Sequence, residues 1–322
     1  MPSSTPGQPS GSAPDAAARL AALHEAHAAR LAVVDPLVRV AEPGIGADDR
    51  LLVSGEVGGL ARVTTTDTLW AARRSHELTV RAGAPDPSGW AAVLDGWLDR
   101  VAADPTATDA ETSMTVAVPS RDVDLVAPLV ARHFGPCSVL ALRVLDRADP
   151  DAWRRPPDGV RVRTARESDL PWLVERSAQL HAWESRFGYV PVRPEARAVL
   201  ETELPEAVRR DEGWTWVAEV DGQPAAFCQV NPPEAAGWIN GSTWLAPTGY
   251  LVQAYVEPGL RSGGLGRVLA TAAHARAAEE GWAAMLLHHS GVSGWSGPFW
   301  ASMGYRPLVT SWMRRPAFRP AG

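Results

Sequence analysis

The alternation of apolar and polar positions is clearest in the second half of the chain. "VRVRTA" (Val160–Ala165) has a period of two and predicts a strand. "ESDLPWLVERSAQLHAWESRF" opens with Ser and Asp, carries Pro171 in its first turn and continues at helical spacing. A second helix is expected from Pro194 to Arg210. "WTWVAEV", Asp221-Gly222 and "QPAAFCQV" predict a hairpin, because Asp-Gly supplies the positive φ angles of a type I′ turn. "YLVQAYV" (Tyr250–Val256) is a further strand. A glycine-rich loop follows, then a helix closed by Gly281, the apolar strand "WAAMLLHH", the short helix "GPFWASMGY" and a last strand, "RPLVTSWM".

The first half repeats that order more faintly. An Ala-rich helix runs from about Asp15 to Val34. After it come "RLLVSGEVGGLARV", with Gly58-Gly59 read as its hairpin turn, and the strand "HELTVRAG". Helix "GWAAVLDGWLDRVAAD", strand "TSMTVAVPS", helix "VDLVAPLVARHFG" and strand "CSVLALRV" complete it. The order matches the second half from the hairpin onward while the letters barely do, so a duplication rests on topology alone. Residues 1–14 are rich in Pro, Ser and Gly and read as a flexible tail. "DRADPDAWRRPPDG" is polar with three prolines and marks a linker, which leaves domains at 15–147 and 160–322 joined through 148–159.

Composition narrows the classes. The 322 residues suffice for two cores, and an apolar share of 45% is ordinary for a globular protein. A net charge of −6 without a basic run speaks against nucleic acid. No apolar stretch is long enough to span a bilayer, and no signal peptide is visible. Cys137 and Cys228 stand far apart, which suits reduced thiols in a cytoplasm.

"RSGGLG" stands between a strand and a helix. A helix N-terminus carries unpaired N–H groups and partial positive charge, and glycines let an anion approach the backbone. Arg261 adds a charged donor. The loop therefore reads as a pyrophosphate cradle. It is not a P-loop, because Gly266 is followed by Arg267-Val268. It is not the dinucleotide fingerprint either, because Leu269 stands where a third glycine is needed. "HEAH" (His24–His27) lacks zinc spacing and a third ligand and reads as a solvated helix. "GVSGWSG" does not fit a nucleophile elbow and reads as a flexible loop.

With its flanking elements, "RSGGLG" resembles the Arg/Gln-x-x-Gly-x-Gly/Ala motif of the GNAT acetyltransferases. The likeness covers about Val160 to Pro316 and lies in the whole ordered series more than in the motif. It implies an α/β fold with a twisted mixed sheet flanked by helices, twice in tandem, and acetyl-CoA or another acyl-CoA as co-substrate without a metal. The pyrophosphate would meet Arg261, Ser262, Gly263, Gly264, Leu265, Gly266 and Arg267. The pantetheine arm would lie between "YLVQAYV" and "WAAMLLHH", with an oxyanion donor near Ala254 or Tyr255, beside Val256. The matching loop of the first half, "RAGAPDPSGW", lacks the motif, so that half reads as a degenerate copy without cofactor.

Acyl transfer to an amine needs a base, because only the neutral amine attacks. His288 and His289 end a strand at the edge where such sheets bind ligands, and at most one can face the site. Glu219 and Tyr250 are rivals. Tyr250 falls where some family members carry a glutamate base, and its pKa near 10 suits that role poorly. Trp300 stands where the family usually keeps a tyrosine acid, and Ser293 where an asparagine is common. Trp300 and Phe299 would wall the thioester channel. Trp183 and Glu184 would hold the acceptor, a small-molecule or peptide amine. A monomer or homodimer is expected. The alternative function is a non-catalytic acyl-CoA-binding sensor or interaction module.

Overall fold

In a computed structural model, residues 13–146, 156–210 and 213–318 are described. Most of the expected tail and linker lies outside them. The first half comprises α1 (Ala13–Val34), β1 (Arg50–Ser54), β2 (Val57–Thr65), β3 (Arg74–Ala82), α2 (Pro87–Ala102), β4 (Thr112–Pro119), α3 (Val126–Val130) and β5 (Gly135–Val144). The second comprises β6 (Val160–Thr164), α4 (Leu170–Glu184), α5 (Ala196–Arg210), β7 (Thr215–Val220), β8 (Gln223–Asn231), α6 (Gly237–Asn240), β9 (Thr248–Val256), α7 (Leu265–Glu279), β10 (Ala284–Ser290), α8 (Ser296–Ser302) and β11 (Arg306–Arg314).

Local chemistry sets several boundaries. Before α4, the Asp169 carboxylate accepts from the Arg166 backbone N–H at 2.7 Å, and Pro171 needs no hydrogen-bond partner in the first turn. Asp221 and Gly222 have φ of 51° and 78°, as a type I′ turn between β7 and β8 requires. Gly281, at φ 82°, ends α7. The hairpin turn of the first half is at Gly55 (φ 57°), not at Gly58-Gly59, which lie inside β2. A Cβ on Gly58 would fall 2.5 Å from Leu23 Cδ1, and one on Gly59 2.8 Å from Leu78 Cδ1. Those two glycines are set by close packing rather than by a turn.

The two halves share one sheet, ordered β1-β2-β3-β4-β11-β5-β10-β9-β8-β7-β6. Among the described residues only the β3–β4 and β9–β10 neighbours are parallel. The last strand of each half is exchanged. β5 pairs with β10 of the second half, and β11 pairs with β4 of the first. The two exchanged strands pair with each other.

Alternation along the strands splits the apolar residues between two faces. On one face α7 and α8 cover Val139, Ala141, Leu251, Met285 and Leu287, with Trp214 stacked on Trp282 at 4.3 Å. There α2 and α3 cover Leu78, Val80, Val116 and Trp312. On the other face α4 and α5 cover Val217, Phe227 and Tyr255. The end of α1 packs near Leu140, Tyr250 and Leu286. His24 and His27 are not on a solvated face: His27 is 2% exposed, its Nδ1 within 3.2 Å of the Ala82 N–H. Cys137 and Cys228 are both free and buried. Among the described residues no helix is long and apolar enough to cross a membrane.

Candidate active site

β9 and β10 pair from Ala284↔Thr248 only as far as Leu287↔Leu251. At that same point the β8–β9 register slips, from Val230↔Leu251 to Gln229↔Gln253, leaving Val252 without a partner. A bulge bends its strand and sharpens the local twist. Here it swings β9 away from β10, which stays on β5 through Ser290. The result is a V-shaped cleft whose β9 side, from Val252 to Val256, has an unpaired edge. Ala254, Tyr255 and Val256 pair with β8 on their other edge. The side chain of Tyr255 leaves the cleft for the core under α4, where its hydroxyl donates to Gln179 at 2.9 Å.

β9 runs into the glycine loop. Ser262 has φ 65° and Gly264 φ 88°, turning the chain so that α7 starts at Leu265. No side chain caps that helix. Its first N–H groups have no intrahelical partner and open on residues 261–264, all exposed. A Cβ on Gly266 would meet Phe299 Cζ at 3.3 Å, so its absence keeps helix and ring close. Arg261 Nε donates to the carbonyl of Val256 at 3.2 Å, tying loop to strand and leaving its terminal nitrogens outward. Arg267 reaches Ser302 Oγ at 3.1 Å. This donor set, backbone N–H groups at an uncapped helix end flanked by exposed arginines, fits a diphosphate.

His288 and His289 face opposite sides of β10. His289 turns toward α8, where a Cβ on Gly297 would lie 3.5 Å from its Cε1, and its Nδ1 is 2.9 Å from the Ser290 carbonyl. The Nδ1 of His288 is 2.9 Å from the Tyr250 hydroxyl, and its ring lies near-parallel to Trp238. Enclosure by these rings, then the neighbouring His289, pulls the His288 pKa down to about 4. Burial pushes the Tyr250 hydroxyl up to about 12.

Glu184 ends α4 on the same side of the sheet as His288. Burial raises its pKa, and a 2.5 Å hydrogen bond from the Tyr189 hydroxyl partly offsets that rise. Ser290, at the tip of β10, is close enough to act on the same hydroxyl. The Glu184–Tyr189 pair therefore stands at the mouth of the cleft. Trp183 stacks edge-on to Phe187 and already holds the Arg186 guanidinium over its ring at 5.2 Å.

Glu219 sits away from the cleft, while Trp300 and Ser293 lie beside it, held by their own neighbours. Glu219 is gripped by Arg163 at 2.6 Å near the start of α4. Glu184 is at the other end of that 15-residue helix, about 22 Å away along its axis. Trp300 is 7% exposed and packs against Phe299 and Tyr305 in the core beneath α7, and Tyr305 is held by His274 Nε2 at 2.8 Å. The Ser293 hydroxyl accepts from the N–H groups of Trp295 and Ser296, pinning the start of α8, so that loop is fastened. Tyr189 went unnoticed in the sequence because its partner lies across a loop without periodicity.

The first half has the same opening without the same loop. β3 and β4 pair from Arg74↔Thr112 to Leu78↔Val116 and then diverge. There, however, Asp86 caps α2: its carboxylate accepts from the Gly89 N–H at 2.9 Å, and Pro87 removes another donor. Among the described residues no group of three or more His, Cys, Asp and Glu side chains is placed to hold a metal.

Residues 177–305 match the acetyltransferase (GNAT) family. A GNAT N-acetyltransferase from Sphaerobacter thermophilus aligns with 95% of this chain and 94% of its own, at 15% identity and a TM-score of 0.54. A tandem GNAT protein from the clavulanic acid biosynthesis pathway aligns over 96% and 97% (14% identity, TM-score 0.47), and a GNAT protein from Kribbella flavida over 94% and 96% (15%, 0.45). No curated protein matches the sequence. The second half thus carries a GNAT-family domain, and the chain as a whole has the GNAT fold, set in one large mixed sheet.

Proposed function

We propose that the protein is an acyl-CoA-dependent N-acyltransferase, acetyl-CoA being the donor the family suggests, with chemistry confined to the second half. The observation that carries this reading is the coincidence of three features: the bulge at Val252, the end of β9–β10 pairing at Leu251 and the uncapped start of α7. The co-substrate supplies a thioester. The N–H groups at the start of α7 hold its diphosphate, and the unpaired edge of β9 offers N–H donors to the pantetheine amides and to the developing oxyanion.

The acceptor amine enters between Glu184 and the Tyr250–His288–Trp238 cluster. Glu184 takes the ammonium proton, because its raised pKa approaches the pH of operation while that of His288 moves below it. The neutral nitrogen then forms its bond to the thioester carbon, the carbon–sulfur bond breaks, and the surplus proton on nitrogen passes through water to the departing thiolate. The thiolate leaves without a side-chain acid, since Trp300 is in the core and has no proton to give at neutral pH. The first half reads as a degenerate copy that lost the diphosphate site.

Thiol release from acetyl-CoA with a panel of amines tests the activity. Glu184→Gln should lower kcat by about 10²–10⁴ with CoA affinity intact. Tight CoA binding without thiol release from any amine would favour the sensor reading. CoA binding that survives loss of the glycine loop would remove both.

A further inference from the structure

The divergence of β3 and β4 leaves a cleft of about 360 Å³ in the first half. It lies on the side of the sheet where α1 packs, under residues 38–44. Val38, Leu60, Val118 and Leu125 give it an apolar wall. Arg81 also lines it and is 6% exposed.

The partners of Arg81 are all neutral. Nε donates to His24 Nδ1 at 3.1 Å, Nη1 to the Val80 carbonyl at 2.7 Å and Nη2 to the Ala41 carbonyl at 2.6 Å. A guanidinium has five N–H groups, so one on each terminal nitrogen is unspent. Among the described residues no carboxylate forms an ion pair with Arg81. The other arginines about the cleft are engaged: Arg62 is paired with Asp49, Arg30 with Asp122, and Arg39 lies over the Trp244 ring at 5.1 Å. Of the acidic lining residues, Glu77 accepts from Thr64 and Glu42 is at the exposed rim. Buried charges are paired in folded proteins, and this one lacks its anion. The cost shows in its pKa, pulled down to about 10 by burial alone.

We propose that this cleft binds a small organic carboxylate with an apolar body, its two oxygens forked on the unspent N–H groups of Arg81 and its chain against Val38, Leu60 and Val118. The fork geometry matches a carboxylate. A volume near the lower end for ligand pockets limits the body to a short chain or a single ring. The acid cap of α2 and the missing glycine loop exclude a CoA diphosphate.

Hexanoate, hexanol and hexylamine titrated calorimetrically into the full chain, with CoA in parallel, test the proposal. Hexanoate should bind once per chain and at least tenfold more tightly than the other two. Arg81→Met should weaken hexanoate at least tenfold, and Leu60→Trp, which fills the cleft and keeps the charge, should abolish its binding. CoA affinity should be unchanged in both variants, which certifies that they fold and separates this site from the second half. The proposal is overturned if hexanoate fails to bind at about 10 mM, binds both variants as it binds the parent, or is displaced by CoA.

Discussion

α2 and α7 occupy corresponding places, each leaving a strand at the open end of a split parallel pair, and their first turns are opposites. α7 begins at a glycine with φ 88°, has no side-chain cap and meets solvent with its N–H groups. α2 begins behind Asp86, whose carboxylate already consumes one of those N–H groups and whose charge neutralises that end of the helix. The backbone opening is kept in both halves. The two helix starts differ in the acidic cap with its proline and in the glycines that only the second loop has.

The largest effect should come from separating the halves. A chain reduced to residues 156–322 loses β5, the shared neighbour of β10 and β11, and with it Val139, Leu140, Ala141 and Leu142 from two apolar clusters. It should not fold cooperatively, as circular dichroism and hydrogen exchange would report. A stable, CoA-binding fragment would mean that the exchanged strands are dispensable.

Next is Gly264→Asp, which sets a carboxylate at the start of α7 on a backbone of φ 88° that side chains rarely adopt. A carboxylate some 4–6 Å from a diphosphate is worth roughly 1–4 kcal/mol of repulsion, so CoA affinity should fall about 10- to 1000-fold by calorimetry. Asp86→Gly should not create CoA binding in the first half, because the loop still lacks the glycines. A gain there would show that the cap alone silences that half.

Arg261→Ala should weaken CoA about 3- to 10-fold, since the side chain is exposed and its contribution is screened. A larger loss would mark its bond to the Val256 carbonyl as essential to the loop's shape. The smallest change expected is with Tyr189→Phe. Removing a donor to the Glu184 carboxylate raises the Glu184 pKa further. Because the base must be ionised, the ascending limb of the pH–rate profile should move to higher pH by less than about one unit. A shift the other way would place the proton acceptor elsewhere.

The sequence carried most of the elements and the turn of the glycine loop because both are local. Asp221-Gly222, Gly281 and "RSGGLG" announce their geometry within a few residues. The splitting of β9 from β10 could be expected only through family likeness. The strand exchange could not be expected at all, since strand letters specify faces and not neighbours. Gly58-Gly59 misled because a glycine pair serves a turn and a crowded strand equally well. The acidic residues near the site were legible as residues, but Glu219 and Glu184 part company over the partners they meet, Arg163 in one case and Tyr189 in the other. The silence of HEAH had the same source: only the fold brings His24 to Arg81.

The exchanged strands also bear on how the chain reaches this structure. Ser120, just past β4, meets Thr310 of β11 across 190 residues at 2.8 Å, and β5 likewise waits for β10. Loop closure over such spans is the slow part of folding, so the topology implies a high contact order and slow assembly. Until β10 and β11 arrive, β4 and β5 present apolar, unpaired edges to any other chain nearby. A first half made before β10 and β11 should therefore be prone to aggregation, and demand for chaperones should track the interval between synthesis of β4 and docking of β11.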